Sequence, residues 1–212
     1  MKKLTSIMVL LFAVLSSAAE PKSESKLFRV RAGGRAVPVY ALKVSPADSL
    51  ARMKGMDDKK GSASIYEMAA FCTFDIGSSV KVEVQAYEDV RSVKILPSSR
   101  GIEAEVNGRG ISFDAAPGDR LTVEINGDEY HSLHVFANPV EEECFCPSDD
   151  NVIYFGPGVH HVSRLIVHSG QTLYIAEGAV LYGEMFQNEP DGPYSPVISL
   201  IGDNIKVRGR GI

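Results

Sequence analysis

The chain has no tryptophan, only three cysteines in 212 residues, and no excess of basic charge. With 22 Lys+Arg against 27 Asp+Glu the formal charge is −5, which leaves no electrostatic footprint for a nucleic-acid partner. Three cysteines, Cys72, Cys144 and Cys146, are too few for a disulfide-dense scaffold. An oxidising compartment would permit one disulfide and leave one thiol over. Cys144 and Cys146 sit too close to bridge each other comfortably, so pairing of Cys72 with either stays open. A lone Cys-Phe-Cys is no zinc signature, because structural zinc takes four ligands, usually in two spaced pairs. The 19 glycines follow no triplet period, which excludes a collagen-like chain. A composition of 44% hydrophobic and 23% charged residues excludes a wholly disordered one. Helical periodicity is nearly absent. The ambiguous stretch is Pro46 to Lys60, where Ala47, Leu50, Ala51 and Met53 suggest a short helix, but Gly55, Asp57-Asp58 and Gly61 favour a loop.

What is present first is a processing signal. Lys2-Lys3 form a positive start, Ile7 to Leu15 an apolar run, and Ser17-Ala18-Ala19 the small residues that signal peptidase reads. The apolar run is about half of the ~20 residues that a spanning helix needs. Residues 1–19 are therefore expected to be a secretory signal peptide. Residue 20 is Glu and no Cys follows the small residues, so no lipid attachment is expected. Cleavage after Ala19 removes two lysines and no acids, which shifts the formal charge from −5 to −7. No later stretch is long and apolar enough to cross a bilayer. The mature chain is expected to be soluble, and secreted or periplasmic.

From residue 27 to 140 short apolar–polar alternations follow one another, the period of half-buried strands. Candidate strands are Phe28–Arg31, Val37–Val44, Val80–Ala86, Val93–Leu96, Ile102–Val106, Ile111–Phe113, Leu121–Ile125 and Leu133–Phe136. In Val80–Ala86 the valines fall on one face and the charges on the other. Asn107-Gly108 reads as a two-residue hairpin signal, and Pro117-Gly118-Asp119 and Asn126-Gly127-Asp128 as further turns. Strands this closely spaced, with no helices between, predict an antiparallel β-sandwich over 27–140. Residues 141–151, with Glu141-Glu142-Glu143, Pro147 and Ser148-Asp149-Asp150, read as an exposed linker.

After Asn151 the apolar runs shorten: Val152–Phe155, Leu165–Val167, Leu173–Ile175, Ala179–Tyr182, Val197–Ile201 and Ile205–Val207, separated by Gly, Ser, Asp and Asn. Ile153, Leu173 and Ile198 recur at intervals of 20 and 25 residues. Windings of roughly 20–25 residues with polar corners predict a β-solenoid, in which each turn stacks its aliphatic side chains on the next. Residues 152–212 hold two to three windings, where at least ~3 are usually needed. The pattern is still running at Gly209-Arg210-Gly211-Ile212, so it reads as cut short.

Four segments carry a resemblance: Tyr154-Phe-Gly-Pro-Gly-Val-His160, Ser169-Gly-Gln-Thr-Leu-Tyr-Ile175, Gly178-Ala-Val-Leu-Tyr-Gly183 and Val207-Arg-Gly-Arg-Gly-Ile212. They resemble the first coils of a right-handed parallel β-helix of the pectin-lyase type. More narrowly, they look like the opening of polygalacturonase-like glycoside hydrolases (family 28) and of the dextranase/isopullulanase family (family 49). The latter resemblance implies an N-terminal β-sandwich before the helix. Val93-Lys-Ile-Leu-Pro-Ser-Ser-Arg100, Asn126-Gly-Asp-Glu-Tyr-His-Ser-Leu-His134 and Phe136-Ala-Asn-Pro139 look like that sandwich. The resemblance implies hydrolysis of glycosidic bonds in a pectin- or glucan-like polysaccharide by aspartates on middle coils. The polygalacturonase pattern (Asn-x-Asp, Asp-Asp, Gly-His-Gly, Arg-x-Lys) does not occur in that order in 152–212.

Glycoside hydrolysis needs two carboxylates held ~5–9.5 Å apart across the bond. Asp149-Asp150 lies before the first winding, beside Pro147 and Asn151, where acids serve turns. Glu141-Glu142-Glu143 reads as a solvated linker face, and Glu177 and Glu184 near corners have no evident partner. His131 and His134, three apart on a strand, face opposite ways, as do His160 and His161; His168 stands alone. All five are expected to be structural or exposed. Tyr130, Tyr154, Tyr174, Tyr182 and Tyr194 could stack on sugar rings, but tyrosine is also an ordinary strand residue. Calcium-dependent lyase chemistry would need an acidic ligand cluster that the sequence does not display. No catalytic, cofactor or metal residue is assigned from sequence. The expected function is the N-terminal portion of a secreted polysaccharide-degrading glycoside hydrolase, inactive alone. The alternative is a non-catalytic carbohydrate-binding or assembly module.

Overall fold

The computed structural model describes residues 24–44, 67–143, 145–184 and 196–212. The expected signal peptide, the ambiguous 46–60 stretch, Cys144 and Tyr194 lie outside these residues. The described chain is all-β, with one short 3-10 turn at Ser98–Arg100 and no α-helix. No helix among the described residues is long and apolar enough to cross a membrane. The chain divides into two compact units, one from Lys22 to Asp149 and the other containing Asp150–Ile212.

Among the described residues of the first unit ten strands form two five-stranded sheets. The strands are β1 (Phe28–Ala32), β2 (Arg35–Val37), β3 (Val39–Val44), β4 (Glu67–Ile76), β5 (Val80–Ala86), β6 (Val93–Leu96), β7 (Glu105–Asn107), β8 (Gly110–Ala115), β9 (Arg120–Ile125) and β10 (Asp128–Pro139). One sheet has the order β2-β1-β5-β8-β7 and the other β3-β4-β10-β9-β6. Alternation decides which side chains turn inward. Along β1 the pattern is buried–exposed–buried–exposed–buried, so Phe28, Val30 and Ala32 face the core and Arg29 and Arg31 face water. Val82 and Val84 of β5 and Ile111 and Phe113 of β8 extend that apolar face. From the opposing sheet Ala70, Cys72, Val123, Ile125, Leu133 and Val135 meet it in one continuous core.

The pairing is antiparallel throughout this unit except between β4 and β10, which run parallel from Leu133↔Ala70 to Pro139↔Ile76. The expected sandwich is thus corrected at its centre. Strand β4 is itself absent from the sequence expectation, because Ala69, Ala70 and Cys72 are small and give a faint period-2 signal. It crosses to the other sheet through a short connection to β5, which leaves its edge open for β10, the last strand to arrive. The hairpin expected at Asn107-Gly108 shifts by one residue. Asn107 pairs with Gly110, so Gly108 and Arg109 are the turn, with Gly108 at φ 59° supplying the left-handed position. Asn126-Gly127 does form the next turn, with φ of 56° and 78°.

A buried carboxylate anchors the turn before β9. Asp119 is 3% exposed; its Oδ2 accepts the Ala116 backbone N–H at 2.8 Å and its Oδ1 accepts the Arg100 guanidinium. Both oxygens are therefore satisfied, which is what makes a buried charge tolerable.

In the second unit the strands are β11 (Val152–Phe155), β12 (Gly158–Val162), β13 (Leu165–His168), β14 (Thr172–Ile175), β15 (Ala179–Gly183), β16 (Ile198–Ile201) and β17 (Lys206–Gly209). Every pair is parallel and in register: β11-β14-β17 form one sheet, β12-β15 a second and β13-β16 a third. The chain therefore visits three faces in turn and returns to each one strand further along. Strand β12 is absent from the sequence expectation, because its glycine and two histidines hide the aliphatic signal. The expected recurrence is corrected as well. Ile153 stacks on Leu173, but the next residue in that ladder is Val207, while Ile198 pairs with Leu165 on another face. The chain between β15 and β16 lengthens the second winding and displaces the spacing. After β17 the pairing moves on to the neighbouring face, where the Ile212 N–H donates to the Ala179 carbonyl at 3.0 Å and the Leu181 N–H to the Ile212 carbonyl at 2.7 Å. Gly209, at φ 113°, permits that corner: a Cβ there would collide with the Ile175 carbonyl oxygen.

Leu133 is fully buried where β4, β9 and β10 meet. Leu133→Ala is expected to lower the stability of this unit by about 2–5 kcal/mol in chemical denaturation, the cost of lost burial plus a cavity.

Candidate functional site

On the second unit the exposed face of β12 and β15 carries one polar–aromatic group. His161 and Tyr182 are register partners, and their rings stack with centroids 5.6 Å apart and an interplanar angle of 23°. Glu184, one residue past β15, completes the group, with its Oε1 2.7 Å from His161 Nδ1. Both side chains of that pair are more than half exposed, and Tyr182 is 40% exposed. The parallel register brings together residues more than 20 positions apart in sequence.

The remaining sequence candidates fall in separate places. His160 turns away from His161; its Nε2 is 2.7 Å from the Gly156 carbonyl and its ring meets the edge of Phe155. His168 is exposed on its strand. Tyr154 stacks on Tyr174 at 5.5 Å, and Tyr174 is 7% exposed, so that pair belongs to the packing. Asp149 accepts the Cys146 N–H on Oδ2 at 2.6 Å, the turn-capping role expected of it. Asp150, Glu142, Glu143 and Glu177 are exposed, whereas Glu141 is half-buried. Cys72 and Cys146 are both free thiols, Cys72 fully buried and Cys146 exposed. Burial pushes the Cys72 thiol up to about 12, so it stays protonated and inert at neutral pH.

On the sandwich unit, His131 and His134 have different partners. His134 Nδ1 lies 3.0 Å from the Thr122 hydroxyl, and burial holds its pKa below the usual histidine value. His131 is set between two carboxylates, with Asp128 Oδ2 at 2.8 Å from Nδ1 and Glu67 Oε2 at 3.6 Å from Nε2. Asp128 also accepts the backbone N–H groups of Tyr130 and His131 at 3.0 and 3.1 Å, which closes the turn into β10. Burial raises the Asp128 pKa, but these hydrogen bonds and His131 together outweigh it, and the net shift is downward.

Sequence reasoning missed a trough on the outer face of the sheet β2-β1-β5-β8-β7. Its volume is about 1000 Å³, and Arg29, Arg31, Glu83, Gln85, Asn107 and Ser112 line it, with Gly110 in its floor. A smaller hollow of about 240 Å³ adjoins it, shares Arg29 and Gln85, and adds Lys26, Tyr87 and Arg109. Alternation shows that these residues face outward, but only the lateral register of four strands shows that they meet.

Because the Asp128 carboxylate is stabilised in its charged form, it contributes stability above the ordinary carboxylate pKa and loses it as pH falls through its depressed folded value. Asp128→Asn is therefore expected to lower the melting temperature at pH 7. The gap to the parent chain should close as pH falls below about 4, followed by thermal melts across that range.

No family model matches the chain, and no curated protein matches its sequence. Among solved structures the chain is similar to Dex49A from Penicillium minioluteum, with a TM-score of 0.56 and 17% identity. The match covers 89% of this chain and 45% of that one, so this chain spans less than half the length of Dex49A. At this identity the likeness is one of fold.

Proposed function

We propose that the chain is the N-terminal portion of a secreted polysaccharide-degrading glycoside hydrolase: signal peptide 1–19, sandwich 27–140, linker 141–151, and the first coils of a right-handed parallel β-helix over 152–212. The observation that carries the reading is the order of two architectures in one chain, a two-sheet sandwich followed by parallel windings on three faces. The likeness of fold to Dex49A, which runs over 89% of this chain and so takes in both architectures, supports the reading. That order is also what the resemblance to the dextranase/isopullulanase family implies. The right-handed sense is what the resemblance to the pectin-lyase type implies, and it agrees with the general preference of parallel crossovers. The substrate class is a pectin- or glucan-like polysaccharide.

In this reading the reacting carboxylates lie on coils other than those described. Among the described residues of the second unit, Glu184 is engaged with His161, and Asp203 serves a corner, where its N–H donates to Ser169 Oγ at 3.0 Å. Neither arrangement offers the paired acid and base or nucleophile that glycoside hydrolysis requires. The assembly-module alternative draws on the aliphatic side chains of the last strands: Ile198, Leu200, Ile201 and Val207 are 37%, 53%, 54% and 51% exposed.

The 212-residue chain is expected to release no reducing ends from dextran or polygalacturonate; measurable release would remove the assignment of catalysis to other coils. Sequencing of the gene past codon 212 tests the reading itself. An open frame with further windings and paired aspartates is expected, and a stop codon there would favour the module.

A further inference from the structure

We infer that the trough on β1, β5, β8 and β7 binds an acidic oligosaccharide, with Arg29 holding a sugar carboxylate and Gln85 and Asn107 bonding neighbouring hydroxyls. The sugar class rests on the function proposed above; the acidity rests on the residues. Arg29, Gln85, Gly110 and Asn107 are lateral register partners across four adjacent strands, all on the outward face. At the usual strand spacing this row spans about 14 Å. Gly110 leaves the middle of the row without a side chain, so the floor between the two amides is open backbone.

The next row toward the sheet's other end is already neutralised. Arg31 lies 3.9 Å from Glu83, and the Ser112 hydroxyl donates to Glu105 at 3.2 Å, while Lys81 approaches Glu105 at 3.7 Å. Arg109 in the adjoining hollow donates to Asp89 at 2.8 Å. Among the described residues the Arg29 guanidinium has no acid partner and makes no hydrogen bond, and the side-chain amides of Gln85 and Asn107 make none either. An exposed guanidinium at one end of a row that also carries two unengaged amides suits a ligand that presents a carboxylate beside neutral hydroxyls. The adjoining hollow adds Lys26 and the ring of Tyr87, which is 36% exposed and seated edge-on against Phe28 at 6.0 Å. That ring offers an apolar surface for a sugar face, and Lys26 a second cation. The chain's overall negative charge acts against an acidic ligand only weakly, because screening confines it to about 8 Å at physiological ionic strength.

Titration calorimetry of the full chain with a short oligogalacturonate, its methyl ester and a neutral isomaltooligosaccharide tests the inference. The acid is expected to bind, with affinity falling as salt rises. The ester and the neutral sugar should bind at least about tenfold more weakly. Arg29→Ala should weaken the acid about tenfold and Arg29→Lys less, while Lys94→Ala on the other sheet should change nothing. Equal binding of acid and ester, no effect of Arg29→Ala, or no binding of any of the three would overturn the inference. None of these outcomes bears on what the gene encodes past codon 212, which tests the proposed function separately.

Discussion

The second unit depends on one constraint: a parallel in-register ladder puts each residue beside the residue at the same place in the strand before it. Once β14 pairs with β11 in this way, Ile153 must sit on Leu173 and Leu173 on Val207, and Tyr154 must sit on Tyr174. Aliphatic therefore stacks on aliphatic along the Ile153–Leu173–Val207 ladder, and the gain is cumulative. Leu173, flanked on both sides, is 1% exposed, whereas Val207, flanked on one side, is 51% exposed. The same geometry produces the His161–Tyr182 stack on the outside. A single winding buries little; the stability of each is tied to its neighbours.

The sandwich works on the complementary rule. Its strands alternate, so one face of each is spent on the core and the other is available to solvent. Valine and isoleucine at every second position build the core, and the charges between them become the outer face. That outer face gains its chemistry from lateral register, because residues on β1, β5, β8 and β7 meet although they span 29 to 110 in sequence. Among the described residues the buried side-chain polar groups of this unit are each answered, as with Asp119 and with Asn138, whose Nδ2 donates to Thr73 Oγ1 at 2.8 Å.

Much of the fold was legible where the signal is local. Phe28 to Ala32, Val80 to Ala86 and Arg120 to Ile125 carry clean alternation, and Asn126-Gly127 carries its turn chemistry. The missing elements fail for physical reasons. Glu67–Ile76 is built around small residues, and Gly158–Val162 around a glycine and two histidines, so neither displays the period of its strand. Partnership between strands is not encoded in periodicity at all, and for that reason the parallel β4–β10 pair and the stacking of Val207 rather than Ile198 on Leu173 were out of reach. The trough was illegible for the same reason: the outward direction of Arg29 can be read from the chain, but its neighbours cannot. The turn role of Asp149 was readable, because turn preference decides it.

The register of the windings can be measured by disulfide trapping. In a chain with its native cysteines replaced by alanine, paired cysteines at 161 and 182 should oxidise rapidly to a cross-link, because their Cα atoms are ladder partners within disulfide reach. Cysteines at 161 and 181 should not, since alternation turns the second side chain to the other face. A preference for the 161/181 pair, or no cross-link in either, would contradict the in-register parallel stack on which the account rests.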